Sequence, residues 1–401
     1  MKKILALVLA AVMVMSFAAC GKSKDDKKAG TDVKIGIICL HDENSTYDLN
    51  FINAMKEVKK ELNLSDDQVI FKTNIPESNE CYEAAADLAD RGCDIVFADS
   101  FGHEQYMMQA AEKFKDVQFC HATGTMAHTS NLTNYHNAFA SIYEGRYLAG
   151  VAAGEKLNEM IKAGKFKANE AKIGYVGAYT YAEVISGYTS FVLGAQSVCP
   201  TATIEVQFTG SWYDETAEKE AANTLINRKC KLISQHADSM GAPTACENAG
   251  VPNVSYNGST KDACPNTFIV SSRINWAPYY KYIIDCVANN KEIDKDWCGG
   301  IKEGSVELTE VNEQAAAAGT ADKIEEVKKD LESGKIHVFD TAKFTVKGKK
   351  LDSYKADVDT DEKYTPDTEV IADGYFHESE KRSAPYFDLR IDGITTLNEK
   401  F

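Results

Sequence analysis

Short apolar runs alternate with helix-length amphipathic stretches, twice over in one chain, and this pattern leaves few architectures open. Beyond Asp32 the segments 33–40, 68–75, 93–98 and 117–121 read as strands, and 47–62, 79–91 and 103–114 as the helices between them. A second series follows, with strands at 172–178, 203–209, 231–236 and 253–256 and helices at 181–198, 215–227 and 241–249. Near-continuous apolar strands belong to sheets covered on both faces. Two such βα series predict an α/β protein of two doubly wound parallel-sheet lobes joined by a hinge. Residues 33–141 are expected to form the first lobe, completed by about 268–298. Residues 142–267 form the second, completed by about 299–340, with 341–401 as an appended segment wrapping one lobe.

The segment before the first strand has another character. Lys2 and Lys3 precede an apolar run from Ile4 to Val14, and Ser16-Phe17-Ala18-Ala19-Cys20-Gly21 closes it. A charged start, a short apolar core and small residues before a cysteine describe a lipoprotein signal (residues 1–20), with Cys20 as the lipid-bearing residue. An ordinary cleaved signal peptide is the competing reading. Residues 21–32 are lysine-rich and have no apolar face to bury, which describes a tether.

A formal charge of −16 argues against nucleic acid as a partner, because phosphate backbones demand clustered positive charge. The chain carries 11 cysteines. An exported protein can pair them, yet Cys39, Cys93 and Cys120 fall in or beside apolar strands, where cysteine behaves as a small hydrophobe; free, buried thiols are the favoured reading. No C-x-x-C spacing occurs, and His121, His128 and His136 fit no zinc pattern, so neither a metal nor a cofactor is expected.

Open parallel sheets bind ligands at the carboxyl ends of their strands. Those ends carry His41-Asp42, Asp99-Ser100-Phe101 and His121-Ala122-Thr123 in the first series. The second has Tyr179, Gly210-Ser211-Trp212-Tyr213, Gln235-His236-Ala237-Asp238 and Asn257-Gly258, and Arg273, Asn275 and Trp276 end the strand at 268–274. Aromatic and hydrogen-bonding side chains dominate, which suits a flat, nitrogen-rich ligand held between ring faces and read along its edges. The candidate site residues at these ends are Ser100, Phe101, His121, Thr123, Trp212, Asp238, Asn257, Arg273 and Trp276, to which the resemblance described next adds Tyr47.

Several of these segments carry a family resemblance. Phe119-Cys120-His121-Ala122-Thr123-Gly124, Ile142-Tyr143-Glu144-Gly145-Arg146-Tyr147-Leu148-Ala149-Gly150 and Ile173-Gly174-Tyr175-Val176-Gly177 resemble the basic membrane protein family. Gly210-Ser211-Trp212-Tyr213-Asp214, Gln235-His236-Ala237-Asp238-Ser239 and Trp297-Cys298-Gly299-Gly300-Ile301-Lys302-Glu303-Gly304 extend the likeness over roughly residues 33–340. These are substrate-binding lipoproteins of ABC importers. The resemblance implies a type I periplasmic-binding-protein fold, a small-molecule ligand closed between two lobes, an ABC permease as partner, a lipid-anchored monomer on the extracytoplasmic face of the cell membrane, and no catalysis. It also implies that Tyr47 and Trp212 sandwich a purine ring. Two aspartates of the nucleoside receptors are replaced here by Thr123 and Asn257, which points to a free purine base such as adenine over a nucleoside. Glu144 and Arg146 are expected to be structural, locking the hinge side of a lobe.

Two rival readings remain at this stage. Ala98-Asp99-Ser100-Phe101-Gly102 resembles a strand-to-helix turn presenting a serine nucleophile, which would make Ser100 part of a hydrolase. Asp42, Asp99, Asp238 and Arg273 would also suit a sugar in the same fold, and that fold serves sensors as well as importers.

Overall fold

The computed structural model describes residues 31–358 and 365–399. The leader, Cys20 and almost all of the tether lie outside these residues. Among the described residues, no helix is long and apolar enough to cross a membrane.

The first lobe runs β1 (Ile35–Ile38), α1 (Thr46–Glu61), β2 (Val69–Lys72), α2 (Asn79–Asp90), β3 (Ile95–Ala98), α3 (Glu104–Lys113), β4 (Gln118–Ala122) and β5 (Tyr135–Ala140). The second follows with α4 (Ile142–Lys162), β6 (Lys172–Gly177), α5 (Ala182–Val198), β7 (Thr203–Phe208), α6 (Glu215–Asn227), β8 (Leu232–His236), α7 (Gly241–Ala249), β9 (Asn253–Tyr256) and β10 (Phe268–Ile274). The chain then returns to the first lobe through α8 (Ala277–Ala288) and β11 (Asp296–Gly299), and crosses back to β12 (Val306–Leu308) and α9 (Thr320–Glu332).

The first sheet has the order β11-β5-β4-β3-β1-β2 and is wholly parallel. Every residue of β1 and β3 is buried, which is why both read as unbroken apolar runs. The second sheet has the order β12-β10-β9-β8-β6-β7 and is extended at its far edge by β17 (Ile394–Thr396); only β12 runs antiparallel. Three crossings therefore join the lobes, after β5, after β10 and after β11.

Strand β10 departs from expectation. Sequence reading gives residues 268–274 to the first lobe, yet β10 pairs with β9 and β12 in the second sheet. The return begins only at α8, whose preceding Trp276 stacks on Phe51 of α1 with ring centroids 4.4 Å apart. Strand β5 was hidden by polar residues inside it. His136 reaches the Gln118 side chain at 2.9 Å, and Asn137 accepts from the Ala127 amide at 2.7 Å, so both are buried with partners.

The Gly-Arg-Tyr-Leu-Ala-Gly stretch of α4 has a packing reason. A side-chain carbon at Gly150 would lie 2.0 Å from the Phe191 carbonyl oxygen, and one at Gly194 of α5 equally close to that of Tyr147. Both positions must be glycine for the two helix backbones to meet. The ten described cysteines are free thiols, and nine are buried. Burial pushes the Cys120 and Cys230 thiols up to about 12.

The C-terminal segment touches both lobes rather than one. Besides β17 on the second sheet, Arg390 donates to the Tyr188 hydroxyl of α5, and the Ser383 amide donates to Asp296 of β11 at 2.8 Å. Near the hinge, the Tyr143 hydroxyl donates to the Glu378 carbonyl at 3.2 Å. The rest of the segment forms two-residue pairs, β13 (Lys355–Ala356) with β14 (Thr368–Glu369) and β15 (Ile371–Ala372) with β16 (Tyr375–Phe376). Residues 343–346 form no strand, and Val346 makes only an isolated bridge to Lys349.

Candidate functional site

The strand ends of the two sheets face each other across a cleft, and a narrow pocket lies between them. Its wall comprises Leu40, His41, Tyr47, Asp48, Ser100, Phe101 and Thr123 from the first lobe and Glu183, Trp212, His236, Asp238 and Tyr256 from the second. That mixture of rings with a few polar groups in a narrow space suits a small flat molecule.

Tyr47 is placed by the first turn of α1, which starts where it does because Ser45 caps it. The Ser45 hydroxyl donates to Asp48 at 2.6 Å and accepts from the Asp48 amide at 3.3 Å. The Tyr47 hydroxyl donates to the Asp99 carbonyl at 2.7 Å, so its ring is pinned and its face is left for stacking. Trp212 follows β7, and its carbonyl accepts from the Asp238 amide at 3.0 Å, tying two strand-end loops together. Its indole packs edge-on to Tyr179 at 5.1 Å.

The carboxyl groups differ in charge. Burial, reinforced by the neighbouring Asp48 charge, pushes Asp99 well above the usual carboxylate range. For Asp48 burial also opposes ionisation, but hydrogen bonds from His41 and Ser45 outweigh it and hold the group low. Of the two, Asp48 is the carboxyl whose surroundings favour the ionised form. These two with Cys39 form a buried trio of metal-type ligands. Burial opposes ionisation of both Asp99 and the Cys39 thiol, whereas a metal ligand must ionise, so the trio is a hydrogen-bonded core arrangement and a poor metal donor set. Asp238 is raised well above its usual range by burial and by the charges of Glu218 and Asp48. Burial pushes His236 down, and it contacts Glu183 at 3.2 Å. The Tyr256 hydroxyl is buried at the pocket wall with no partner among the described residues.

Six of the ten candidate residues line this pocket: Tyr47, Ser100, Phe101, Thr123, Trp212 and Asp238. Four do not. His121 lies beneath it, its Nε2 bonded to the Ser100 carbonyl at 2.7 Å. Asn257 lies one layer back and donates to Asp238 Oδ1 at 3.0 Å, orienting the carboxyl that does face the cavity. Arg273 sits on the second sheet, paired with Glu307 of β12 at 2.6 Å. Trp276 is a buried ring of the first-lobe core, stacked on Phe51. Placing β10 in the wrong sheet misdirected these last two. The strand-end rule pointed at His41 and His236, but polarity alone did not separate them from their neighbours, and Leu40 and Tyr256, each last in its strand segment, were not singled out. Glu183 was missed because it reads as an ordinary acidic residue in the first turn of α5.

The hydrolase reading of Ser100 fails on geometry. Its hydroxyl donates to Glu77 at 2.6 Å, and His121 meets its carbonyl, not its hydroxyl. No histidine is placed to take the serine proton. Glu144 and Arg146 are structural, as expected. Glu144 accepts from the Ile301 amide at 2.8 Å across the third crossing.

The lobes meet around the pocket. The Thr46 hydroxyl donates to the Asp238 carbonyl at 3.1 Å, and Asn50 donates to the Asn257 carbonyl at 3.0 Å. His41 and Tyr213 pack across the cleft with centroids 5.4 Å apart. This is a closed form.

The sequence profile of the Bmp family, described as ABC transporter substrate-binding protein PnrA-like, matches residues 39–338. The chain belongs to this family. Among curated Bmp relatives, a purine-binding protein of Brucella abortus is 31% identical over 245 residues, covering 60% of this chain and 65% of the relative. A putative ABC transporter glucose-binding protein of Haloferax volcanii is 33% identical over 218 residues, covering 54% of this chain and 52% of the relative. The match thus spans less than two thirds of either relative's own length. A solute-binding protein structure from Conexibacter woesei superposes with a TM-score of 0.62 at 18% identity, covering 76% of this chain and 98% of that one. That likeness establishes the two-lobed periplasmic-binding fold. Bmp proteins are solute-binding proteins, not enzymes.

Proposed function

We propose that this Bmp protein captures a purine base, of the adenine type, and hands it to an ABC permease. The observation that carries the reading is the shared pocket of Tyr47 and Trp212, one ring from each lobe, with Asp238, the Glu183–His236 pair and the Tyr256 hydroxyl around it. Rings on two sides favour a flat aromatic ligand, and edge groups that both donate and accept suit ring nitrogens and an exocyclic amine. The purine-binding relative supports the ligand class. A free base is favoured over a nucleoside because Thr123 and Asn257 stand where nucleoside receptors have ribose-binding aspartates. The protein would act as a monomer on the extracytoplasmic face of the cell membrane, held by lipid on Cys20.

A sugar is the second reading, favoured by the acidic wall of Asp48, Glu183 and Asp238 and by the Haloferax relative. Thermal unfolding with each candidate ligand separates the two, because a ligand present at 1,000 times its Kd stabilises the native state by about 4 kcal/mol. Adenine is expected to raise Tm while glucose and ribose leave it unchanged. A rise with glucose alone would transfer the site to the sugar reading.

A further inference from the structure

We propose that Phe101 and Tyr181 form an aromatic latch that bridges the cleft mouth and sets how long the lobes stay shut. Among the described residues these two are the exposed large hydrophobic side chains, each 41% exposed. A single exposed ring means little, but these two touch each other from opposite lobes, with centroids 5.4 Å apart and planes inclined by 38°. Phe101 opens the loop after β3, and Tyr181 is the N-cap residue of α5. Tyr181 in turn stacks on Tyr179 at 4.9 Å, and both rings pack against Trp212, at 6.0 and 5.1 Å. A row of rings thus runs from the first lobe to the stacking indole of the second. When the cleft opens, Phe101 and Tyr181 are parted and their shared faces meet water. The closing hydrogen bonds of Thr46 and Asn50 exchange for bonds to water at little net gain, whereas the ring pair gains apolar burial as well as ring geometry. The latch rests on lobe closure and is independent of which ligand fills the pocket.

The same cleft offers a reporter of closure. A side-chain carbon at Gly258 would lie 3.5 Å from Thr46 Cβ, within the span of a disulfide. In the Thr46→Cys/Gly258→Cys protein, oxidised glutathione can link the two thiols only when the lobes are shut. The thiols together lose two electrons and two protons, and the glutathione disulfide is reduced to two thiols. The rate of trapping without added ligand then follows the closed population; nine of the ten described native thiols are buried, and the half-buried Cys298 thiol is pushed up to about 12 by burial, which leaves it a poor competitor. Adding Tyr181→Ala or Phe101→Ala is expected to slow trapping about 2- to 12-fold, the contribution of one aromatic pair. Both changes together should slow it no further than either alone, and Tyr181→Phe should trap at the parent rate. An unchanged rate in Tyr181→Ala, additive effects of the two alanines, or a cysteine pair that never closes would overturn the latch. With adenine as probe, dissociation from Tyr181→Ala in the otherwise native chain should quicken by the same factor. Failure of adenine to bind would count against the purine reading alone, and trapping would still decide the latch.

Discussion

Replacing Arg146 with alanine is expected to destabilise the protein by about 3–5 kcal/mol, the scale of an uncompensated buried polar cluster. The guanidinium is fully buried, and its partners are neutral. Nη1 donates to the Ser255 carbonyl and the Ser272 hydroxyl, each at 3.2 Å, and Nη2 donates to the Tyr175 hydroxyl at 3.1 Å and the Ser234 hydroxyl at 2.7 Å. These four residues lie on β10, β9, β6 and β8, four neighbouring strands of the second sheet. One side chain from α4 therefore clasps the sheet from its inner face, a task suited to the rigid, many-donor fork of arginine. The rings of Phe191, Tyr256 and Tyr175 stand 4.8, 5.2 and 5.4 Å from its central carbon and stabilise the charge through their faces. Alanine would take a donor from four polar groups, of which the Ser234 hydroxyl keeps its bond to the Val254 carbonyl at 2.7 Å, and would leave a void. Urea denaturation measures the loss, and Arg146→Lys, with fewer donors and no planar fork, should recover only part of it. A change below about 1 kcal/mol would show that the clasp is dispensable, since that is what an ordinary surface substitution rarely exceeds.

Trp212→Ala is expected to weaken adenine binding by about 1–3 kcal/mol, the measured range for a base stacked on an aromatic side chain. The indole is held by Tyr179 and Tyr181 and backed by the Asp238 amide bonded to its carbonyl, so little of its order has to be gained on binding. Trp212→Phe should retain most of the affinity. Titration calorimetry on the two variants checks the expectation. Equal affinities for tryptophan and alanine would remove stacking from the account.

The parts of this fold that sequence disclosed are those where one physical signal dominates. Helix α6 begins where Asp214 caps it, with the Ala217 amide donating to its carboxylate at 2.9 Å, and α7 stops at Gly250 in the left-handed conformation. Buried strands such as β1 and β3 declare themselves by apolarity. The membership of β10 in the second sheet was not legible, because strands of both sheets are equally apolar and the point of crossing is set by which edge is open, a property of the assembled lobes. Strand β5 escaped because His136 and Asn137 are polar, and their burial is tolerable only through partners far away in sequence. The same limit applies to the site. Trp212 stands out as an aromatic residue at a strand end and Tyr47 through the family resemblance, while Glu183 and Tyr256 acquire meaning only when the cleft brings them opposite the first lobe. Arg273 had the right chemistry for a ligand contact, but its charge is spent on Glu307 at the sheet edge.

Isothermal titration of the purified protein with adenine, using adenosine and glucose as competitors, tests the central claim most directly. The account predicts one adenine per chain, much weaker adenosine and no heat from glucose. Heat from glucose with none from adenine would contradict it and return the acidic wall of the pocket to a sugar.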